Sequence, residues 1–130
     1  MKAILLSINP QYVERILSGE KKYEYRKRLA QKDIDTIYIY STFPLMKVVA
    51  SVQVIGNLSA SPTALWEQTK KNAGISRAKY REYFHGCKRA YAYELGEVKV
   101  FDTPMKLSEF GLDVAPQSFV YIKSKYIDKN

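Results

Sequence analysis

The chain runs to 130 residues, 46% hydrophobic and 26% charged, which fits one domain with its own core and excludes general disorder. Its 21 Lys and Arg against 13 Asp and Glu leave a net charge of +8, with a pI near 9.5. A field of that sign attracts polyanions, so nucleic acid is the first partner class to weigh, against a merely solvated cationic surface.

Met1 to Ser7 is too short an apolar run for a signal peptide. No stretch approaches the ~20 apolar residues of a membrane span, so a soluble protein with no membrane partner is expected. Ala3 to Ile8 reads as a short apolar strand. Asn9-Pro10 then opens a helix, with Asn9 as N-cap and Pro10 at the first helical position. Tyr12, Val13, Ile16 and Leu17 fall at helical spacing up to Gly19, which suits a left-handed cap.

The next stretch concentrates charge: Gly19-Glu20-Lys21-Lys22-Tyr23-Glu24-Tyr25-Arg26-Lys27-Arg28. Lys21 to Arg28 reads as a strand, on which Tyr23 and Tyr25 share one face while Lys22, Glu24, Arg26 and Arg28 share the other. An aromatic face backing a charged one describes a half-buried strand lining a polar cleft. It equally describes an ordinary edge strand whose Glu24 and Arg26 form a surface pair of ~0–1 kcal/mol. The residue chemistry favours a site. Lys21 is a compact cation for phosphate, or an amine that burial makes nucleophilic. Arg26 offers a planar fork for phosphate or a base edge, and Glu24 can hold that fork or act as a general base.

Leu29 to Asp35 is a polar connection, and Ile37 to Ser41 a strand of β-branched and aromatic residues. Thr42-Phe43-Pro44 turns into the longest strand candidate, Lys47 to Ile55, which Gly56-Asn57 closes. Ser61-Pro62 opens a helix through Leu65 and Trp66 to about Lys71, and Ser76 caps a second from Arg77 to Phe84. Both are basic, and Lys70, Lys71 and Arg77 are candidates for gripping a nucleic-acid backbone. Trp66 is expected to be at least partly buried, anchoring its helix, with a base-stacking platform as the alternative. His85 and Cys87, the only residues of their types, flank Gly86 in what reads as a helix-end turn. One Cys and one His make no intrachain disulfide and no Cys- or His-rich metal centre. They point to a reducing, cytoplasmic setting, with no metal and no cofactor expected. Ala90 to Leu95 and Val98 to Phe101 return to strand, a turn or short helix follows at Ser108 to Phe110, and Phe119 to Ile122 is the last strand before a polar tail, Lys123 to Asn130.

The order β-α-β-β-β-α-α-β-β-β lacks regular crossover helices, which argues against a doubly wound parallel sheet. It predicts an α+β fold, a mixed β-barrel with helices packed at its ends, formed by residues 1–130 as a single domain.

Gly19 to Arg26 matches G-x-K-x-x-E-x-R, and the chain resembles the ASCH domain family, a branch of the PUA-like superfamily. Ile39-Tyr40-Ser41 with Pro44 resembles the family's next strand and turn, and Pro116-Gln117-Ser118-Phe119 its C-terminal strand entry. The helices at about 61–85 resemble an insertion found in some members. The resemblance implies a PUA-like barrel whose cleft receives Lys21, Glu24 and Arg26, and it adds Tyr40 and Ser41 as ligand-binding candidates. It also implies RNA or a nucleotide as partner. In an amidohydrolase branch acting on N4-acetylcytidine, the motif Lys is joined by a Thr three residues on and by a later helical Glu. Here Glu24 stands at the first position, and Glu67 is the nearest candidate for the second. Three readings follow: an RNA- or nucleotide-binding module; an enzyme on RNA or a modified nucleoside, with Lys21 and Glu24 at the chemistry; or a protein-interaction domain with a buried ion-pair network. Nothing in the sequence sets an oligomeric state.

Overall fold

The computed structural model describes residues 2–31 and 33–127. Residue 32 of the polar connection and residues 128–130 of the tail lie outside the described residues. The elements follow the predicted order: β1 (Ala3–Ile8), α1 (Pro10–Leu17), β2 (Tyr23–Arg26), β3 (Thr36–Ser41), β4 (Lys47–Ala60), α2 (Pro62–Thr69), α3 (Arg77–Tyr83), β5 (Ala90–Met105) and β6 (Phe119–Ile122). Single 3-10 turns lie at Lys70–Asn72, Leu107–Phe110 and Ser124–Tyr126.

All six strands form one sheet in the order β2-β5-β4-β3-β1-β6. Only β1 and β3 run parallel; the other neighbours are antiparallel. The sheet is a curled half-barrel rather than a closed ring, and Arg26 measures the curl. Its Nη2 on edge strand β2 donates to the Ser7 carbonyl on β1, 3.2 Å away, although three strands separate β2 from β1 in the sheet order.

Three strands differ from expectation, and β2 is the shortened one, spanning Tyr23–Arg26 rather than Lys21 to Arg28. β4 passes straight through Gly56-Asn57 to Ala60, and the two predicted strands around Gly96 are one, β5. Register shifts at Val48/Ala50, Val52/Val54 and Val54/Gly56 show why. The extra residues are taken up as bulges, which bend the long ribbon around the core, so a glycine here marks a bend and close approach rather than an end. A Cβ at Gly56 would meet the Glu94 carboxylate at 2.6 Å.

The core has three parts. Ile4, Leu6 and Ile8 of β1 pack with Val13 and Ile16 of α1, while Ala3 and Leu5 point the other way toward Tyr38, Phe101 and Phe110. Burial on both faces is what a strand beside a parallel partner requires, and it explains why β1 is continuously apolar. In the third part, α2 and α3 close over β2 and β5 through Tyr25, Leu65, Tyr80, Phe84 and Ala92. Trp66 is partly buried against this cluster, as expected. Tyr80 is its hub: its ring centroid lies 4.9 Å from Tyr25, 4.8 Å from Trp66 and 4.9 Å from Phe84, and its hydroxyl donates to the Pro62 carbonyl at 2.7 Å.

Burial pushes the Tyr80 hydroxyl up from 10 to about 12. Between those values the unfolded chain releases its proton first, so stability is intact below pH 10 and is lost as pH rises toward 12. Denaturant melts at increasing alkalinity are therefore expected to show a falling midpoint. Tyr80→Phe should flatten that fall in part, because Tyr25, Tyr83 and Tyr93 are shifted upward by burial too. An unchanged alkaline slope in the Phe variant would contradict this account.

Candidate functional site

The charged stretch is positioned from both sides. Helix α1 ends at Leu17, and Gly19, with φ of 87°, turns the chain where a side chain would be strained. Lys21 N–H then bonds the Arg15 carbonyl, Lys22 N–H bonds the Asn72 carbonyl, and Leu95 N–H bonds the Lys22 carbonyl. These backbone bonds tie the entry to β2 to α1, to the turn after α2 and to β5. Asn9 caps α1 through its carbonyl, which accepts from Tyr12 and Val13 N–H at 3.0 Å. Its side chain instead accepts from Thr42 Oγ1 at 3.3 Å.

Lys21 is only 4% exposed and Glu24 8%. Lys21 Nζ donates to the Ala73 carbonyl at 2.8 Å and lies 4.8 Å from the centre of the Tyr25 ring and 5.6 Å from that of Tyr12. Its stem packs directly on Gly74, whose φ of 63° and lack of a Cβ allow that approach. Desolvation is the main force on the ammonium and lowers its pKa from the usual 10.5. The Glu24 carboxylate opposes that shift, and the Arg15 and Arg26 cations add to it. Arg26 Nε and Nη2 both donate to Glu24 Oε2, at 3.1 and 2.8 Å. Both side chains are largely covered, at 14% and 10% exposure. None of the described residues donates to Glu24 Oε1.

These groups line a cleft of about 500 Å³. Ser7, Asn9 and Tyr12 border it on one side, and Lys79, Glu82 and Tyr83 of α3 on the other. Lys27 Nζ sits 5.1 Å from the centre of the Tyr83 ring at the same cleft. A cleft lined by four cations and two carboxylates and walled by tyrosines can hold an anion and a planar ring together. Among the described residues no three His, Cys, Asp or Glu side chains gather closely enough to hold a metal ion.

The other predicted residues lie elsewhere. Tyr40 is packed into the core with Leu5, Val48 and Met105, and Ser41 is buried beside the end of β1, so neither lines the cleft. The family resemblance offered both residues as ligand contacts, but β3 is an inner strand covered on both faces. Lys70 and Lys71 are exposed on the 3-10 turn, with Lys70 paired to Glu67 at 2.8 Å. Arg77 faces a second cleft, of about 410 Å³, with Trp66, Arg81 and Cys87. His85 is exposed and Cys87 half-buried at the end of α3. Sequence reasoning missed Tyr12, Lys79 and Tyr83 as cleft residues. Tyr12 stood at core-facing helical spacing, and only the docking of α3 reveals the other two.

The sequence profile described as ASCH domain matches residues 6–104. An ASCH domain-containing ribonuclease from Zymomonas mobilis is 30% identical over 95 residues, covering 72% of this chain and 64% of that protein. The ATP synthase subunit alpha of Ureaplasma parvum is 26% identical over 123 residues, 94% of this chain but 15% of its own length. The chain thus spans less than two thirds of these curated relatives. The crystal structure of ASCH from Zymomonas mobilis superimposes with a TM-score of 0.88 at 25% identity, covering 96% of this chain and 90% of that one. Among the described residues no helix is long and apolar enough to cross a membrane.

Proposed function

The chain belongs to the ASCH domain family, and from that premise we propose that its cleft binds single-stranded RNA, seating one nucleotide over Lys21, Glu24 and Arg26. The observation that carries the reading is the convergence of these three groups, two of them buried, in an open cleft of nucleotide size walled by Tyr12 and Tyr83. Phosphate goes to the cations, and the base lies against an aromatic wall, the arrangement that unstacked RNA favours. Glu24 Oε1 accepts from the base or the ribose. Gly19, Lys21, Glu24 and Arg26 stand in the G-x-K-x-x-E-x-R order that resembles the family signature. The lone, half-buried Cys87 suits a reducing, cytoplasmic setting.

One observation favours a second reading, cleavage of the bound strand: burial holds the Lys21 amine below its usual pKa. The relative named a ribonuclease supports it. Neutral Lys21 would take the proton of a ribose 2′-hydroxyl, and the 2′-oxygen would attack phosphorus. The bond to the 5′-oxygen would break and that oxygen take a proton from water. The products are a 2′,3′-cyclic phosphate and a 5′-hydroxyl.

Fluorescence anisotropy with labelled short RNAs tests binding. Four cations line the cleft, Lys21, Arg26, Lys27 and Lys79. If each meets a phosphate, affinity falls by about 50-fold from 50 to 200 mM salt, a slope of about −0.7 per phosphate. Replacing Lys70, Lys71 and Arg77 together should weaken all sequences alike, since phosphate contacts carry little base information. No binding at low salt would reduce the basic surface to a solvated face and end the reading.

A further inference from the structure

Helix α3 is a ridge with a cleft on each side. At 100° per residue, Arg77, Arg81 and Phe84 share one face while Lys79, Glu82 and Tyr83 share the opposite one. The lining residues follow that division: the second set faces the Lys21 cleft, and the first faces a separate cleft of about 410 Å³ between α2 and α3. Trp66 forms part of that second cleft. Its ring is partly buried, held at 4.8 Å from Tyr80 with 46° between the planes, so one side is fixed by the core. Two cations, Arg77 and Arg81, are exposed beside it. The local carboxylate, Glu67, is engaged by Lys70 at 2.8 Å, and among the described residues neither arginine is within ion-pair distance of an acid. A rigid indole next to two exposed guanidinium groups, of which Arg77 also feels the Glu67 charge, can hold a base by stacking and its flanking phosphates by charge.

We propose that this second cleft is a stacking seat for another nucleotide of the same RNA strand, which crosses α3 from the Lys21 cleft with its base on Trp66 and its phosphates on Arg77 and Arg81. The inference rests on the RNA reading of the first cleft and extends it to a second site. A helix with its side chains is about 10 Å across. A single nucleotide cannot span that width, so an oligomer of several nucleotides is needed to occupy both seats. Shorter ligands reach only one.

Trp66 is the only tryptophan, so its fluorescence reports on this seat alone. The experiment titrates the full chain with uridine monophosphate and with uridylate oligomers of two to eight nucleotides. Quenching of Trp66 and a step in affinity are expected together, at the oligomer length that first spans α3. In an Arg77→Ala/Arg81→Ala variant, altered only at exposed positions, octamer affinity should drop about tenfold or more and the length-dependent quenching of Trp66 should be lost. Trp66→Phe, which keeps a ring for the core, should retain most of the octamer affinity, whereas Trp66→Leu should lose it. An octamer that saturates the protein without perturbing Trp66, or that binds the double variant as tightly as wild type, overturns the second seat while leaving the first. Octamer binding that survives Arg26→Ala but not the double variant overturns the first cleft instead. Absence of binding by every oligomer removes both.

Discussion

Arg26→Ala is expected to abolish RNA binding and to lower unfolding stability by about 3 kcal/mol, the low end for breaking a buried ion pair. Two losses combine. The guanidinium is the only described donor to Glu24 Oε2, and the carboxylate keeps just 10% of its side-chain surface in contact with solvent. Truncation leaves that charge covered without its counterion. The same guanidinium ties β2 to β1 through the Ser7 carbonyl, so the mouth of the half-barrel loses a strap. Binding falls because the forked cation for phosphate is gone. Urea melts and anisotropy separate the two effects when Glu24→Gln is added. The Glu24→Gln/Arg26→Ala double variant should recover much of the stability, since no buried charge is then stranded, but none of the binding. Arg26→Lys should recover charge but not the two-pronged contact, and so restore stability better than affinity. If Arg26→Ala binds RNA as wild type does, the ion pair is only a structural brace and the protein-interaction reading gains.

The second large effect concerns Lys21. If the cleft cuts RNA, Lys21→Arg is expected to lower turnover by about 10²-fold or more, the range for removing a general base. Binding should stay within a few-fold, because Arg keeps the cation. An arginine does not deprotonate at working pH, whereas the Lys21 amine is held below 10.5 by desolvation and by its cationic neighbours. The sign of the pH dependence follows. The neutral amine is the active form, so wild-type rate rises with pH through the lowered pKa and levels off above it. Arg26 is one of the neighbours that lower this pKa, and Glu24 raises it. Glu24→Gln should therefore move the limb to lower pH. Lys21 packs on Gly74, so a bulkier head could disturb the turn. Lys21→Met, closer in shape and uncharged, is the companion variant, and thermal melts of both show whether the fold is kept. Cleavage that persists in Lys21→Arg with an unchanged pH profile removes Lys21 from the chemistry. No cleavage in wild type, with or without divalent metal, alongside saturable binding leaves a binding module.

Local chemistry in the sequence determined the elements and most of their ends. Asn9-Pro10, Gly19, Ser61-Pro62 and Ser76 start or stop helices by their own backbone and side-chain preferences, and these boundaries recur in the structure to within a residue or two. Alternation on β2 likewise set Tyr25 into the helical core and Glu24 beside Arg26. Such features depend on neighbours within a few positions.

What depended on distant partners was illegible. Gly56 and Gly96 looked like strand ends because a glycine's local preference cannot reveal that β4 and β5 continue to pair across a bulge. Tyr40 was a candidate by resemblance, and no local pattern shows that both faces of β3 are covered. Lys21 is the clearest case. Strict alternation would set it opposite Glu24 and Arg26, on the tyrosine side. It reaches their electrostatic neighbourhood because it precedes β2, whose entry is held by backbone bonds to α1 and to the turn after α2. Its burial, and with it the lowered pKa, comes from the Ala73-Gly74 turn, 52 residues away at the Ala73 carbonyl. Charge type was written in the sequence; desolvation, which decides what that charge can do, is a property only the packed chain possesses.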